Sequence, residues 1–279
     1  MVNRAEITRL GQSVDQEKRL HPDAIQRTFS ALQKYQKLIQ KHDVHTVLVG
    51  GTSAMRDASN GSEFIRKIKK EFGWQIHILT GDDEARLVYA ATREEFREID
   101  SEFLIVDIGG GSTEFILGNS QKYQFAKSLN IGTVRFTEKF IRNDPPLDNE
   151  LQAARDEISS QLIGSLDNLS FQSDATTLIG VSGTVTTLLA VEEKLKEYQP
   201  EKIHKQPLTR SQIDSLVKQF CSMPIEQRQH LPGLEPKRAD VIIMGTIILQ
   251  EVMQHFKFEK LLVSDRGVRY GLLYEYLTK

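Results

Sequence analysis

The sequence predicts an α/β protein of two lobes. Stretches of helical and strand periodicity alternate along the chain, which is the pattern of an α/β fold. The alternation occurs twice, and each half carries a Gly/Ser/Thr turn directly after an apolar run. A length of 279 residues favours two domains over one.

In order, residues 1–20 are polar apart from a short apolar patch at Ile7 and Leu10. A helix is expected from His21 to His42. Pro22 and Asp23 suit its first turn, Ile25, Phe29, Leu32, Tyr35 and Ile39 recur at spacings of three and four, and Lys41-His42 suit its last turn. Val44 to Gly51 reads as a strand, followed by a Thr52–Asp57 turn. Ser62 to Phe72 is a second amphipathic helix, ended by Gly73. Trp74 to Thr80 is a strand, and Gly81 to about Glu98 is a third helix with an acidic start. Phe103–Leu117 then reads as strand, tight turn, strand.

The second half repeats the theme. Strands are expected at 125–129, 175–181 and 260–263. Helices are expected at 133–140, 149–168, from 182 through Ala190, 209–221, from Pro224, 238–256 and from Arg266 onward. Pro-rich segments at 144–146, 200–207 and 231–236 read as loops.

Composition excludes several classes. Lys and Arg number 36 against 38 Asp and Glu, a net charge of −2, so bulk charge points to neither nucleic acid nor an anionic membrane surface. The single cysteine, Cys221, permits no disulfide within the chain and no Cys-rich zinc site. That usage fits a reducing cytoplasm. The N-terminus has no apolar signal-peptide core, and no apolar run approaches the ~18 residues of a spanning helix. The seven histidines show no metal-binding spacing.

The richest stretch is Asp107-Ile108-Gly109-Gly110-Gly111-Ser112-Thr113-Glu114. Three residues without side chains let a ligand approach the backbone, and the N–H groups with the Ser112 and Thr113 hydroxyls suit a phosphate. Asp107, at the strand end, is placed for a metal ion or a water. In Thr52–Asp57, Arg56 is either a fork donor to a phosphate oxygen or a solvated side chain beside a capping turn. In Gly81–Arg86 the acids Asp82, Asp83 and Glu84 complement a helix dipole, and one could also serve as a general base. Ser182-Gly183-Thr184 could meet a phosphate or a nucleoside edge, or simply allow close strand–helix packing. Of the two arginines after the last strand, Arg269 reads as structural and Arg266 is open. Walker-type and Gly-x-Ser-x-Gly motifs are absent.

Taken together these motifs resemble the exopolyphosphatase/guanosine pentaphosphate phosphatase family. The resemblance runs through Glu6–Gly11, Thr52–Arg56, Gly81–Arg86, Asp107–Glu114, Ser128–Gly132, Gly183-Thr184, Leu231–Leu234 with Arg238–Asp240, and Ser264–Gly267, over essentially the whole chain. It implies a two-domain fold like that of actin, Hsp70 and sugar kinases, with a cleft between the domains. We expect a first domain at 1–99 and a second at 100–279, with the terminal helix packing back on the first. It implies release of the terminal phosphate from inorganic polyphosphate or guanosine pentaphosphate with magnesium or another divalent ion, in the cytoplasm and in the setting of the stringent response. By position, Glu84 looks like the base that activates water and Arg56 like a phosphate contact. The Asp107–Thr113 turn looks like a second phosphate loop, with Asp107 on the metal, and Gly183-Thr184 lies where relatives of the wider fold hold a nucleoside. A homodimer is the family expectation.

One departure stands out. Family members begin with a strand and a first phosphate loop of Asp-Ile-Gly-Ser-Asn-Ser type, and no second Asp-x-Gly turn precedes residue 40 here. The first domain is therefore expected to be N-terminally incomplete, with an unprotected sheet edge. Such a chain is expected to hydrolyse polyphosphate poorly or not at all. The alternative, from a different class, is a non-catalytic binder of guanosine polyphosphates or polyphosphate.

Overall fold

The computed structural model describes residues 2–166 and 169–278. By contacts the chain divides into two units, Met1–Gly81 and Asp82–Lys279. The boundary expected from the sequence is 99/100. The difference is the helix beginning at Gly81, whose apolar face belongs to the core of the second unit.

The first unit contains α1 (Val14–Glu17), α2 (Pro22–Lys41), β1 (Val49–Gly51), α3 (Ser53–Asp57), α4 (Gly61–Phe72) and β2 (Ile76–Ile78). The α2 stripe of Ile25, Phe29 and Leu32 meets Phe64, Ile68 and Phe72. Phe29 sits edge-on to Phe64 at 5.6 Å, and Phe72 stacks on Trp74 at 4.8 Å. Asn60 staples Leu20 by accepting from its N–H and donating to its carbonyl. The strands β1 and β2 pair in parallel over three residues only. The expected strand from Val44 is thus regular only at Val49–Gly51. Residues 44–48 have no ladder partner among the described residues, and Val44 and Leu48 are exposed.

The second unit contains α5 (Gly81–Glu95), β3 (Phe103–Ile108), β4 (Thr113–Gly118), β5 (Tyr123–Leu129), α6 (Thr133–Phe140), α7 (Asp148–Leu166), β6 (Thr177–Val181), α8 (Ser182–Glu192), β7 (Pro207–Thr209), α9 (Arg210–Cys221), α10 (Ile225–Arg228), α11 (Ile242–His255), β8 (Lys260–Ser264) and α12 (Val268–Leu277). Residues 167 and 168 of the helix expected to reach Asn168 lie outside the described residues. The long apolar helix starts at Ile242 rather than 238, because Pro236–Arg238 forms a 3₁₀ turn. Strand β7 straddles the junction between the loop expected to Pro207 and the helix expected from Thr209; it is three residues long and borders only β8.

The six strands order as β5-β4-β3-β6-β8-β7. The β3–β4–β5 meander is antiparallel, whereas β3, β6 and β8 run parallel. Covered on both faces, β3 reads as a continuous apolar run. Period two sorts its side chains: Leu104, Val106 and Ile108 enter the core shared with α7, α8, α9 and α11. Phe103 and Ile105, with Ile116 of β4, pack under Ala85, Val88 and Tyr89 of α5. The terminal helix α12 lies against α5, within the second unit. A Cβ on Gly271 would stand 2.1 Å from the Leu87 carbonyl, so the two backbones touch. Tyr274 and Glu275 hydrogen-bond and ion-pair to Glu95 and Arg86 of α5. No helix of the described residues is long and apolar enough to cross a membrane.

Candidate active site

The loop of residues 109–112 joins β3 to β4, with Ile108 opposite Thr113 and Asp107 opposite Glu114. Asp107 has the parity of Ile105, and Glu114 that of Ile116, so both acids belong to the α5 side of the sheet. Glu84, in the first turn of α5, is buried, as is Glu114, while Asp107 is half-buried. Like charges directly opposite on a sheet are unfavourable. Accordingly, burial pushes the Asp107 carboxyl up to about 8, with the charges of Glu114 and then Glu84 acting in the same direction. The Ser128 hydroxyl of β5 donates to Glu114 at 2.7 Å and fixes that carboxylate.

The loop backbone is ordered by α6. The N–H of Thr133 donates to the Gly109 carbonyl at 3.0 Å, and those of Val134 and Arg135 donate to the Gly110 carbonyl at 2.9 and 3.1 Å. The Arg135 Nε–H donates to the Gly111 carbonyl at 2.8 Å. In a planar trans peptide the carbonyl and the following N–H point in opposite directions. Three carbonyls turned towards α6 therefore turn the N–H groups of Gly110, Gly111 and Ser112 away from it. None of these three donates to an acceptor among the described residues. Successive N–H groups on one side of a loop form an anion-binding concavity. The Gly109 N–H is used internally, donating to the Ser112 carbonyl at 2.9 Å. Thr113 is fully buried and its hydroxyl donates to the Ile131 carbonyl, so it braces the loop. The close approach depends on Gly132, where a Cβ would stand 2.4 Å from the Gly110 oxygen.

Gly183 and Thr184 sit in the first turn of α8, after β6, the parallel neighbour of β3. Both Gly/Ser/Thr turns thus lie at the carboxyl ends of adjacent parallel strands, where α/β sheets commonly bind ligands. The guanidinium of Arg238 lies against Gly183, and Thr184 is buried against Gly245. Arg56 closes α3 in the first unit, with Nη1 donating to the Leu79 carbonyl at 2.8 Å and Nε 3.5 Å from Asp57. In the second unit Arg266 is 3.1 Å from Asp265 and packs on the Tyr270 ring.

The structure brings Glu84, Asp107 and the glycine loop together, and adds Glu114 and Arg135, which received no role from the sequence. Glu114 was within reach of it: a four-residue hairpin loop that pairs 108 with 113 must pair 107 with 114. The acids fit a hard divalent cation. They offer oxygen donors only, and their mutual repulsion is what such a cation relieves. Among the described residues no group of three or more His, Cys, Asp or Glu is arranged to hold a metal ion by itself.

Comparison with known proteins gives this geometry its context. A profile described as the Ppx/GppA phosphatase family matches residues 1–279. The chain is 39% identical over 274 residues to a bifunctional 3-dehydroquinate synthase/phosphatase of Fusobacterium nucleatum, matching 97% of this chain and 41% of that protein. It therefore spans less than half the length of that relative. It is 32% identical over 275 residues to exopolyphosphatase 2 of Mycobacterium tuberculosis, covering 95% of this chain and 86% of the relative. The crystal structure of the Aquifex aeolicus Ppx/GppA family member superposes with a TM-score of 0.80 at 34% identity, over 100% of this chain and 89% of that one. From its glycine loop to its full-length profile match, this chain belongs to the Ppx/GppA phosphatase family.

Proposed function

We propose that the chain is a phosphohydrolase that releases terminal phosphate from inorganic polyphosphate. The observation that carries the reading is the set of three outward N–H groups at Gly110, Gly111 and Ser112 beside the acids Asp107 and Glu84. Attack of water on a terminal phosphoryl group needs positioning and charge neutralisation more than covalent chemistry. The loop N–H groups hold phosphate oxygens of the chain end. Glu84 orients the attacking water and takes its proton as the new P–O bond forms and the bridging P–O bond breaks. The products are inorganic phosphate and a chain shorter by one unit. Asp107, with Glu114 beside it, would hold a divalent ion, which when bound would supply neutralisation of phosphoryl charge. By the family resemblance Arg56 is a further phosphate contact, and Gly183 and Thr184 border the more distant part of the substrate. The same terminal-phosphate chemistry extends to guanosine pentaphosphate.

The test is phosphate release from polyphosphate and from guanosine pentaphosphate, with magnesium and with EDTA. We expect slow, magnesium-dependent release from polyphosphate, in keeping with the impaired hydrolysis expected above, with kcat lowered a further roughly 10²–10⁴-fold in Glu84→Gln. Release from neither substrate, or a Glu84→Gln variant at the wild-type rate, overturns the reading.

A further inference from the structure

The peptide between Gly111 and Ser112 is held differently from its neighbours. The carbonyls of Gly109 and Gly110 are fixed by backbone N–H groups of α6, which any sequence would supply there. The Gly111 carbonyl is fixed by the side chain of Arg135, which is half-buried at that helix start. Gly111 has no Cβ to restrict its dihedrals, so nothing in its own chemistry keeps this peptide from turning over. If it turned, the Ser112 N–H would leave the substrate side and the Gly111 oxygen would replace it, putting a negative dipole where an anion must bind.

We propose that Arg135 is a positioning residue that keeps the Ser112 N–H aimed at substrate phosphate, through the bond from its Nε–H to the Gly111 carbonyl. The proposal rests on the reading of the loop as a phosphate cradle. Arg135 acts here through the backbone, as a latch on one peptide. A lysine at the same place keeps the charge but lacks the Nε–H that makes the bond.

The experiment compares wild type, Arg135→Met and Arg135→Lys in the full chain. Backbone amide resonances of Gly110, Gly111 and Ser112 are followed by ¹⁵N NMR during titration with inorganic phosphate, and KM and kcat for polyphosphate are measured with magnesium. In wild type all three amides respond. In Arg135→Met the Ser112 response is lost while that of Gly110 persists, and kcat/KM falls roughly 10- to 100-fold. Arg135→Lys stays impaired in both readouts, and it carries the test alone should Arg135→Met not fold. Full recovery in Arg135→Lys shows that charge, not the latch, matters, and overturns the proposal; so does an unchanged Ser112 response in both variants. If the wild-type amides ignore phosphate, the cradle reading itself falls, an outcome distinct from the other two.

Discussion

The two Gly/Ser/Thr turns of the second unit have similar composition and opposite construction. After β3, the loop carbonyls are drawn to α6 and the N–H groups are left facing outward. After β6 the helix begins at once, and its first turn is closed on itself. The Thr184 N–H donates to the Ser182 hydroxyl, and the Thr186 and Thr187 hydroxyls donate to the Ser182 and Gly183 carbonyls. Arg238 covers Gly183. The first turn is an open cradle and the second a packed start of a helix. What separates them is whether a neighbouring element takes the carbonyls, a property of tertiary structure that composition does not report.

Glycine-to-alanine exchange in the two places tests this most sharply. At Gly132 a Cβ collides with loop backbone, which has nowhere to go, so Gly132→Ala should lower kcat/KM roughly 100-fold or more. At Gly183 the collision, at 2.3 Å, is with the end of the Arg238 side chain, which can swing aside. Gly183→Ala should leave kcat/KM within about tenfold. Steady-state kinetics showing the reverse order would break the comparison.

A smaller effect is expected at Ser182, which holds φ at +97°, a strained value for a residue with a side chain. Ser182→Gly gives up one weak cap but relieves strain of about 1 kcal/mol, and should raise Tm by about 2–4 °C in a thermal melt. A lower Tm would mean that the hydroxyl cap outweighs the strain.

The smallest effect lies beside this second turn, around His204. Its two ring nitrogens stand 3.3 Å from Glu95 of α5 and 3.3 Å from Asp265, with Arg266 on Asp265 and Tyr274 of α12 on Glu95. Phe96 packs edge-on against the ring, and Tyr198 reaches Asp265. Burial lowers the imidazole pKa, although Asp265 and Glu95 push it up. The unfolded chain therefore binds this proton more readily than the folded one. The stability contributed by the neutral ring is present above about pH 6.5 and is lost as pH falls below it. Tm should consequently fall more steeply towards acid in wild type than in His204→Gln. Parallel Tm–pH curves would remove His204 from the account.

Local chemistry was readable along much of the chain. The β3–β4 hairpin, the acidic start of α5 and the glycine loop follow from strand composition, dipole matching and backbone freedom, all local properties. The α/β class follows from periodicity in the same way. The unit boundary was not legible, because α5 joins the second unit through Ala85, Val88 and Tyr89, whose partners in the sheet are distant in sequence. Strand β1 came out short because a ladder needs a partner, and β2 offers three residues. Arg135 escaped notice because its importance lies in one bond to a carbonyl 24 positions away, and no motif encodes that.

The backbone contact between Gly271 and Leu87 has a consequence for the end of the chain. Leu87 is one helical turn from Glu84, so the carboxyl-terminal helix sets the height at which that acid is carried. Although nearly two hundred positions away in sequence, this segment behaves mechanically as a shim under the first turn of α5. A fusion or a trimming that disturbs the last helix would act first on the alignment of the acid with the loop, before it acted on the integrity of the sheet.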